Sequence, residues 1–230
     1  QYYQHFDITW KSEDPDLNGK MMAPFLGGSL QEVLGREELQ VFFDKEGFSL
    51  KYFDQQYPLS LKSYYHLILQ VKATFQSGEK SDTTLEQTIF EMLEKAGDLP
   101  DMARHDYQQV LQFKKDIFAL QDANDRFRQV LQDTLQQMNK DHASIRYLLE
   151  SQYFLPCHWK ETEHTINYRR FFTINDLICL RMQDDEVFKL YHAFLKTLFD
   201  HDLIHGLRVD HIDGLFNPND YLHKVRDYFG

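Results

Sequence analysis

From Asp101 to Ser151 the chain contains no glycine and no proline. Nothing in that run breaks a helix, and its apolar residues recur every three to four positions. Val110, Phe113, Ile117 and Leu120 form one stripe, and Phe127, Val130, Leu131 and Leu135 form a second. Leu148 and Leu149 end a third helix, while Asp133, Gln136 and Gln137 mark a solvated side. Such stripes either meet a coiled-coil partner or are buried against each other in a helical subdomain. The expectation is the second, an antiparallel subdomain that covers its own apolar faces.

The flanks read differently. Residues 1–28 carry turn signals at Ser12-Glu13-Asp14-Pro15-Asp16, Asn18-Gly19 and Gly27-Gly28, and are expected to be irregular. Ser29 caps a short helix through Leu34. Leu39 to Phe43 and Phe48 to Phe53 flank Asp44-Lys45-Glu46-Gly47, a β-hairpin with Gly47 in its turn. Helical spacing resumes at Ser60 with Tyr64, Leu67, Ile68 and Val71, then Leu85, Ile89 and Leu93 behind a Ser81/Thr83 start. After Pro156, Trp159 to Phe172 is aromatic and charged without helical period. Asp184 to Asp200 is a helix with a stripe of Val187, Leu190, Phe194 and Leu198, and Asp184/Asp185 at its start. A strand from Gly206 and a helix opened by Pro218, carrying Tyr221, Leu222, Val225 and Phe229, make one βα unit. The expected class is mainly α with a small β component. Its divisions are 1–58 (irregular, with the hairpin), 59–155 (helical) and 156–230 (the βα unit and what leads into it).

A hydrophobic content of 42% with 15% aromatic residues supplies a core. A net charge of −11 argues against nucleic acid as a partner, because phosphate neutralisation needs a basic face, and it suits a neutral substrate such as a sugar. Cys157 and Cys179 match no disulfide framework or metal spacing, which fits a reducing cytoplasm. No run has the length of a membrane helix. Gln1 and Gly230 both read as cuts in a longer polypeptide.

Gly206-Leu207-Arg208-Val209-Asp210-His211-Ile212-Asp213-Gly214-Leu215 concentrates the reactive groups. Leu207 and Val209 alternate with Arg208 and Asp210, so a strand sends the guanidinium and the carboxylate to one face. Three readings are open. Asp210 is a catalytic carboxylate kept ionised by Arg208, with His211 and Asp213 bonding substrate hydroxyls. Alternatively His201, His205, Asp210, His211 and Asp213 ligate a metal, though Gly206 takes His205 off the helix that carries His201. The third is a structural ion pair at a strand end. His158, Glu161, Glu163 and His164 read as a solvated loop rather than a metal site. Trp10 and Trp159 read as core or interface rather than sugar platforms.

The Gly206–Leu215 stretch resembles the second conserved region of the α-amylase clan of glycoside hydrolases, where the fourth barrel strand ends in Arg-x-Asp. Its His-x-Asp-Gly-Leu continuation, with Asn217-Pro218 and Tyr221-Leu222, resembles maltooligosyltrehalose synthases in particular. Asn167-Tyr168-Arg169-Arg170-Phe171-Phe172 is similar to a signature of that family, with Thr173 where the family usually has Asp. Phe6-Asp7-Ile8-Thr9-Trp10 is similar to the family's Phe-Asp-Ile-Asp-Trp, with Thr9 a second departure.

The resemblance implies a fragment excised from a (β/α)8 barrel: the fourth strand and its helix, preceded by a helical insertion. It implies that Asp210 is the nucleophile of a retaining reaction, that Arg208 orients and ionises it, and that His211 contacts substrate. Its acid/base partner, roughly 5 Å away in such enzymes, would lie beyond Gly230, so the chain alone is expected to be inactive. Asn167, Tyr168, Arg169 and Arg170 then either bind the glucan or fasten the insertion to the barrel. The implied activity converts the reducing-end α-1,4 linkage of a maltooligosaccharide to an α,α-1,1 linkage without a cofactor. An α-glucan hydrolase of the same clan and a non-catalytic helical interaction module are the alternatives.

Overall fold

The glycine- and proline-free run is divided by side-chain caps rather than by helix breakers. In the computed structural model, which describes residues 3–78, 82–163 and 165–230, it forms α4 (Tyr107–Ala123), α5 (Asp125–Lys140) and α6 (His142–Glu150). Asp106, Asn124 and Asp141 each leave the helical conformation and accept the N–H groups of the next turn. That is how a polar residue starts a helix where no glycine ends the previous one. Two further helices precede them, α2 (Lys62–Ser77) and α3 (Thr83–His105), and α3 continues through Pro100. Ser81, expected at the α3 start, lies outside the described residues. These helices belong to one compact unit, Leu26–Leu155. Within it Tyr64, Leu67, Ile68, Leu85, Ile89, Leu93, Val110, Phe113, Ile117, Phe127 and Leu131 are all buried. The stripes therefore cover one another: α2 packs on α3 and α5, α3 on α4, and α4 on α5.

Ser29 caps α1 (Leu30–Gly35) in a capping box with Glu32. The hairpin pairs β2 (Leu39–Asp44) with β3 (Gly47–Tyr52), from Leu39 opposite Tyr52 to Asp44 opposite Gly47. A third strand, β4 (Gln55–Pro58), which the sequence reading did not contain, extends it antiparallel to β3. Phe53, expected in the strand, sits in the turn between them at φ 50°. The helices secure this sheet with polar side chains. Asn139 on α5 accepts from Val41 N at 2.7 Å and donates to Val41 O at 3.1 Å. The Tyr64 hydroxyl accepts from Phe48 N at 3.0 Å. These contacts place the hairpin in the helical unit rather than with residues 1–25.

Residues expected to be irregular also form β1 (Met21–Leu26), which pairs with β5 (Phe154–His158) in a two-stranded sheet. Proline is tolerated in both because each is an edge strand. The chain passes between its two units along these strands.

The second unit, Gln1–Phe25 with Pro156–Gly230, contains α7 (Asp185–Asp200) and α8 (Pro218–Phe229). Asp184 caps α7 and Asn217 caps α8. Of the expected α7 stripe only Val187 is buried: Leu190 is 57% and Phe194 72% exposed, and the buried face continues instead through Phe188 and His192. The face is chosen by His192, whose ring stacks on Phe188 at 4.2 Å and whose Nε2 meets the Tyr221 hydroxyl of α8 at 3.0 Å. A search for apolar periodicity passes over a histidine that is buried because both its nitrogens are bonded.

The strand expected from Gly206 does not form. Residues 206–210 have no regular structure, and among the described residues none pairs with them. A strand exists through its ladder, and alternation alone does not supply a neighbour.

Candidate active site

Residues 167–181 fold back so that 167–171 lies between 7–9 and 177–179. Thr9 N donates to Asn167 O at 2.7 Å, Arg169 N to Asp7 O at 2.9 Å, and Cys179 N to Arg169 O at 2.9 Å. Side chains lock this array. Asn167 Nδ2 donates to Thr9 O and Lys20 O at 3.2 and 2.7 Å, and its Oδ1 accepts from Met22 N at 3.0 Å. Its carboxamide is wholly committed to backbone groups. Arg169 Nε donates to Asp7 Oδ2 at 2.9 Å, and its guanidinium lies 5.5 Å above the Phe216 ring. Gln183 Nε2 donates to the other Asp7 oxygen at 2.9 Å. Arg170 Nη1 donates to Asn175 Oδ1 at 2.6 Å. Tyr168 is buried and donates to Asn175 O at 3.1 Å. Burial pushes its phenol up to about 12, against a smaller opposing pull from Arg170.

The back of this array is one wall of an open cavity of about 320 Å³. Tyr168, Arg169, Arg170, Phe171, Phe172, His211 and Asp213 line it. The His211 ring meets the rings of Phe171 and Phe172 edge-on, each with centroids 5.2 Å apart. Phe172 and His211 both have left-handed backbones, at φ 54° and 57°. Bulky L-residues adopt that conformation only where their surroundings impose it. Two such residues are in ring contact on one cavity wall, and Glu37, Phe53 and Asp202 share the conformation elsewhere.

Arg208 and Asp210 lie immediately before His211. Their guanidinium and carboxylate are 3.6 Å apart, with side chains 88% and 69% exposed. Neither lines the cavity. An ion pair this exposed adds little stability. Of the residues singled out in the sequence, the structure thus gathers Tyr168, Arg169, Arg170, His211 and Asp213 around one cavity, uses Asn167 as a backbone clamp, and leaves Arg208 and Asp210 in solvent. The Phe171–Phe172 wall was not legible beforehand, because its contact with His211 joins segments some forty residues apart. Among the described residues no three His, Cys, Asp or Glu side chains are grouped to hold a metal ion, and no helix is long and apolar enough to cross a membrane. His164 lies outside the described residues. Trp10 stands edge-on to Tyr3 at 5.5 Å, and Trp159 is 48% exposed.

No family model matches the chain. Over 63 residues it is 46% identical to a putative maltooligosyl trehalose synthase of Mycobacterium tuberculosis (strain CDC 1551 / Oshkosh), and equally to that of strain H37Rv. The chain resembles maltooligosyltrehalose synthases. The matched stretch is 27% of this chain and 8% of each mycobacterial protein. The solved maltooligosyltrehalose synthase of Arthrobacter ramosus aligns with 99% of this chain at 21% identity and a TM-score of 0.50. A point mutant of that synthase aligns over the same share with a TM-score of 0.51. The alignment uses 18% of the Arthrobacter chain in each case. The likeness in fold therefore runs through the whole chain, which corresponds to under a fifth of those synthases.

Proposed function

We propose that the chain is part of a maltooligosyltrehalose synthase, an enzyme that isomerises the reducing end of a maltooligosaccharide. The observation that carries this reading is the 46% identity over 63 residues to the mycobacterial protein. The Arg208–Asp210 pair running directly into a cavity-lining His211 supports it.

In this reading residues 206–210 become the fourth strand of a (β/α)8 barrel once neighbouring strands of the parent pair with them, and 59–155 is an insertion before it. At the carboxyl end of such a strand Asp210 faces substrate. Its carboxylate attacks the anomeric carbon of the penultimate glucosyl unit, forming a glycosyl ester as the α-1,4 bond to the terminal glucose breaks. A second carboxyl group, carried by the parent, protonates the departing 4-oxygen and then removes the proton from the anomeric hydroxyl of the same glucose. That hydroxyl attacks the ester, releasing Asp210 and closing the α,α-1,1 linkage. Two inversions at one carbon give retention. The two carboxyl groups supply the nucleophile, the acid and the base, so this route uses no cofactor. Arg208 orients Asp210, and His211 with Asp213 holds sugar hydroxyls from the cavity wall. Rearrangement wins over hydrolysis only if water is kept from the ester.

Product analysis of the full parent on maltopentaose tests the reading. Reducing ends should disappear without release of glucose. Glucose appearing with each cleavage would make the parent a hydrolase, and no turnover would favour a non-catalytic module.

A further inference from the structure

Lys114 projects from α4 beside the β2–β3 turn. Its Cδ and Cε lie against Gly47, and its ammonium is 5.9 Å from the centre of the Tyr64 ring. Lys196 and Lys224 each find a carboxylate, Asp200 and Asp185. Among the described residues the Lys114 side chain, like those of most of the lysines, has no ion pair and no hydrogen bond. It lines a cavity of about 310 Å³ with Lys45, Glu46, Tyr107, Leu111 and Lys115. Half-burial holds the Lys114 ammonium below the usual lysine range, against opposing pulls from Glu46 and Asp44. A partly desolvated amine with no fixed counter-ion is the form in which lysine attacks carbonyl groups.

We propose that this cavity is a binding and modification site for a small aldehyde bearing an anionic group, with Lys114 as its nucleophile. Lys45 and Lys115 supply two further positive charges for the anion, and Tyr107, half exposed, offers a flat wall for a ring. The ammonium first loses its proton to solvent. The free amine adds to the carbonyl carbon, the carbonyl oxygen takes up a proton, and loss of water leaves a C=N bond between Lys114 and the ligand. Borohydride reduces that bond by hydride transfer to a stable secondary amine.

Pyridoxal 5′-phosphate, at a concentration below that of the 230-residue chain, followed by borohydride and peptide mass spectrometry, tests the site. The Lys114 peptide should carry several-fold more label than any other lysine peptide. Lys114→Arg should remove that excess without moving the urea unfolding midpoint. Lys45→Met with Lys115→Met should slow labelling by the phosphate-bearing aldehyde several-fold but leave labelling by benzaldehyde unchanged. Label spread evenly over the lysines, or fast labelling that survives Lys114→Arg, would overturn the proposal. Equal loss with both aldehydes would overturn its anionic specificity.

Discussion

Asn167 has a carboxamide whose three hydrogen bonds all go to backbone groups, at Thr9, Lys20 and Met22. Replacing it by alanine leaves the part-buried Lys20 carbonyl and Met22 amide without these partners, each costing about 1–2 kcal/mol. Asn167→Ala should therefore destabilise the unit that contains it by roughly 2–4 kcal/mol, read from urea unfolding followed by tryptophan fluorescence. An unchanged midpoint would return Asn167 to the substrate-binding candidates. Gly47 gives a second residue-scale test. At φ 102° its missing Cβ would fall on the Tyr64 hydroxyl and against Lys114. Gly47→Ala should cost at least about 2 kcal/mol, more than the usual glycine-to-alanine effect, because both backbone strain and displacement of Tyr64 are involved. At this scale the site was only partly legible. Arg208, Asp210 and His211 stand adjacent in the sequence, and their chemistry could be read there. The commitment of Asn167 to backbone, and the aromatic wall that Phe171 and Phe172 give His211, depend on contacts between distant segments that no local pattern encodes.

Helices were the most legible elements, because the apolar stripes of α2 to α5 recur at helical spacing and are buried there. Their ends were less so. The three Asx caps in the glycine-free run are read most simply as ordinary polar residues until the backbone is seen to turn at them. Asn124→Ala should cost about 1 kcal/mol, measured as a shift in denaturant midpoint. Asp141 accepts from Ser144 Oγ and from Ala143 N and Ser144 N. The Ser144 hydroxyl above all, with these amides, holds its carboxyl below the ordinary value of 3.8. Its capping contribution is therefore complete above that pH and fades as pH falls through the lowered value. In acid titrations of helicity, Asp141→Asn should cap α6 but lose the part of the pH dependence seen below 3.8 in the wild type. Identical titration curves for the two would contradict the cap's role. Strands were the least legible. β1, β4 and β5 are short pieces fixed by pairing partners far along the chain, and residues 206–210 have the alternation of a strand without a partner. On α7, His192 turned the buried face away from Leu190 and Phe194. Phe194→Glu should leave stability within about 0.5 kcal/mol while reducing binding of an apolar dye.

For the molecule as a whole, the exposed apolar side chains of the unit containing α7 and α8 are as informative as its core. Leu190, Phe194, Leu203 and Phe216 are all more than half exposed, leaving apolar surface in solvent. The proposed parent would cover it with the rest of a barrel, and would supply both the strand neighbours and the acid/base carboxyl that the account requires of Asp210. By itself the 230-residue chain is expected to show no turnover of maltooligosaccharides. The central claim is that Asp210 is the nucleophile, and its most direct test is Asp210→Asn in the full parent, assayed for loss of reducing ends from maltopentaose. The account predicts a fall in kcat of at least about a thousandfold, the scale on which enzymes lose rate when a covalent nucleophile is removed, with the unfolding midpoint unchanged. Turnover within tenfold of the wild type would contradict it.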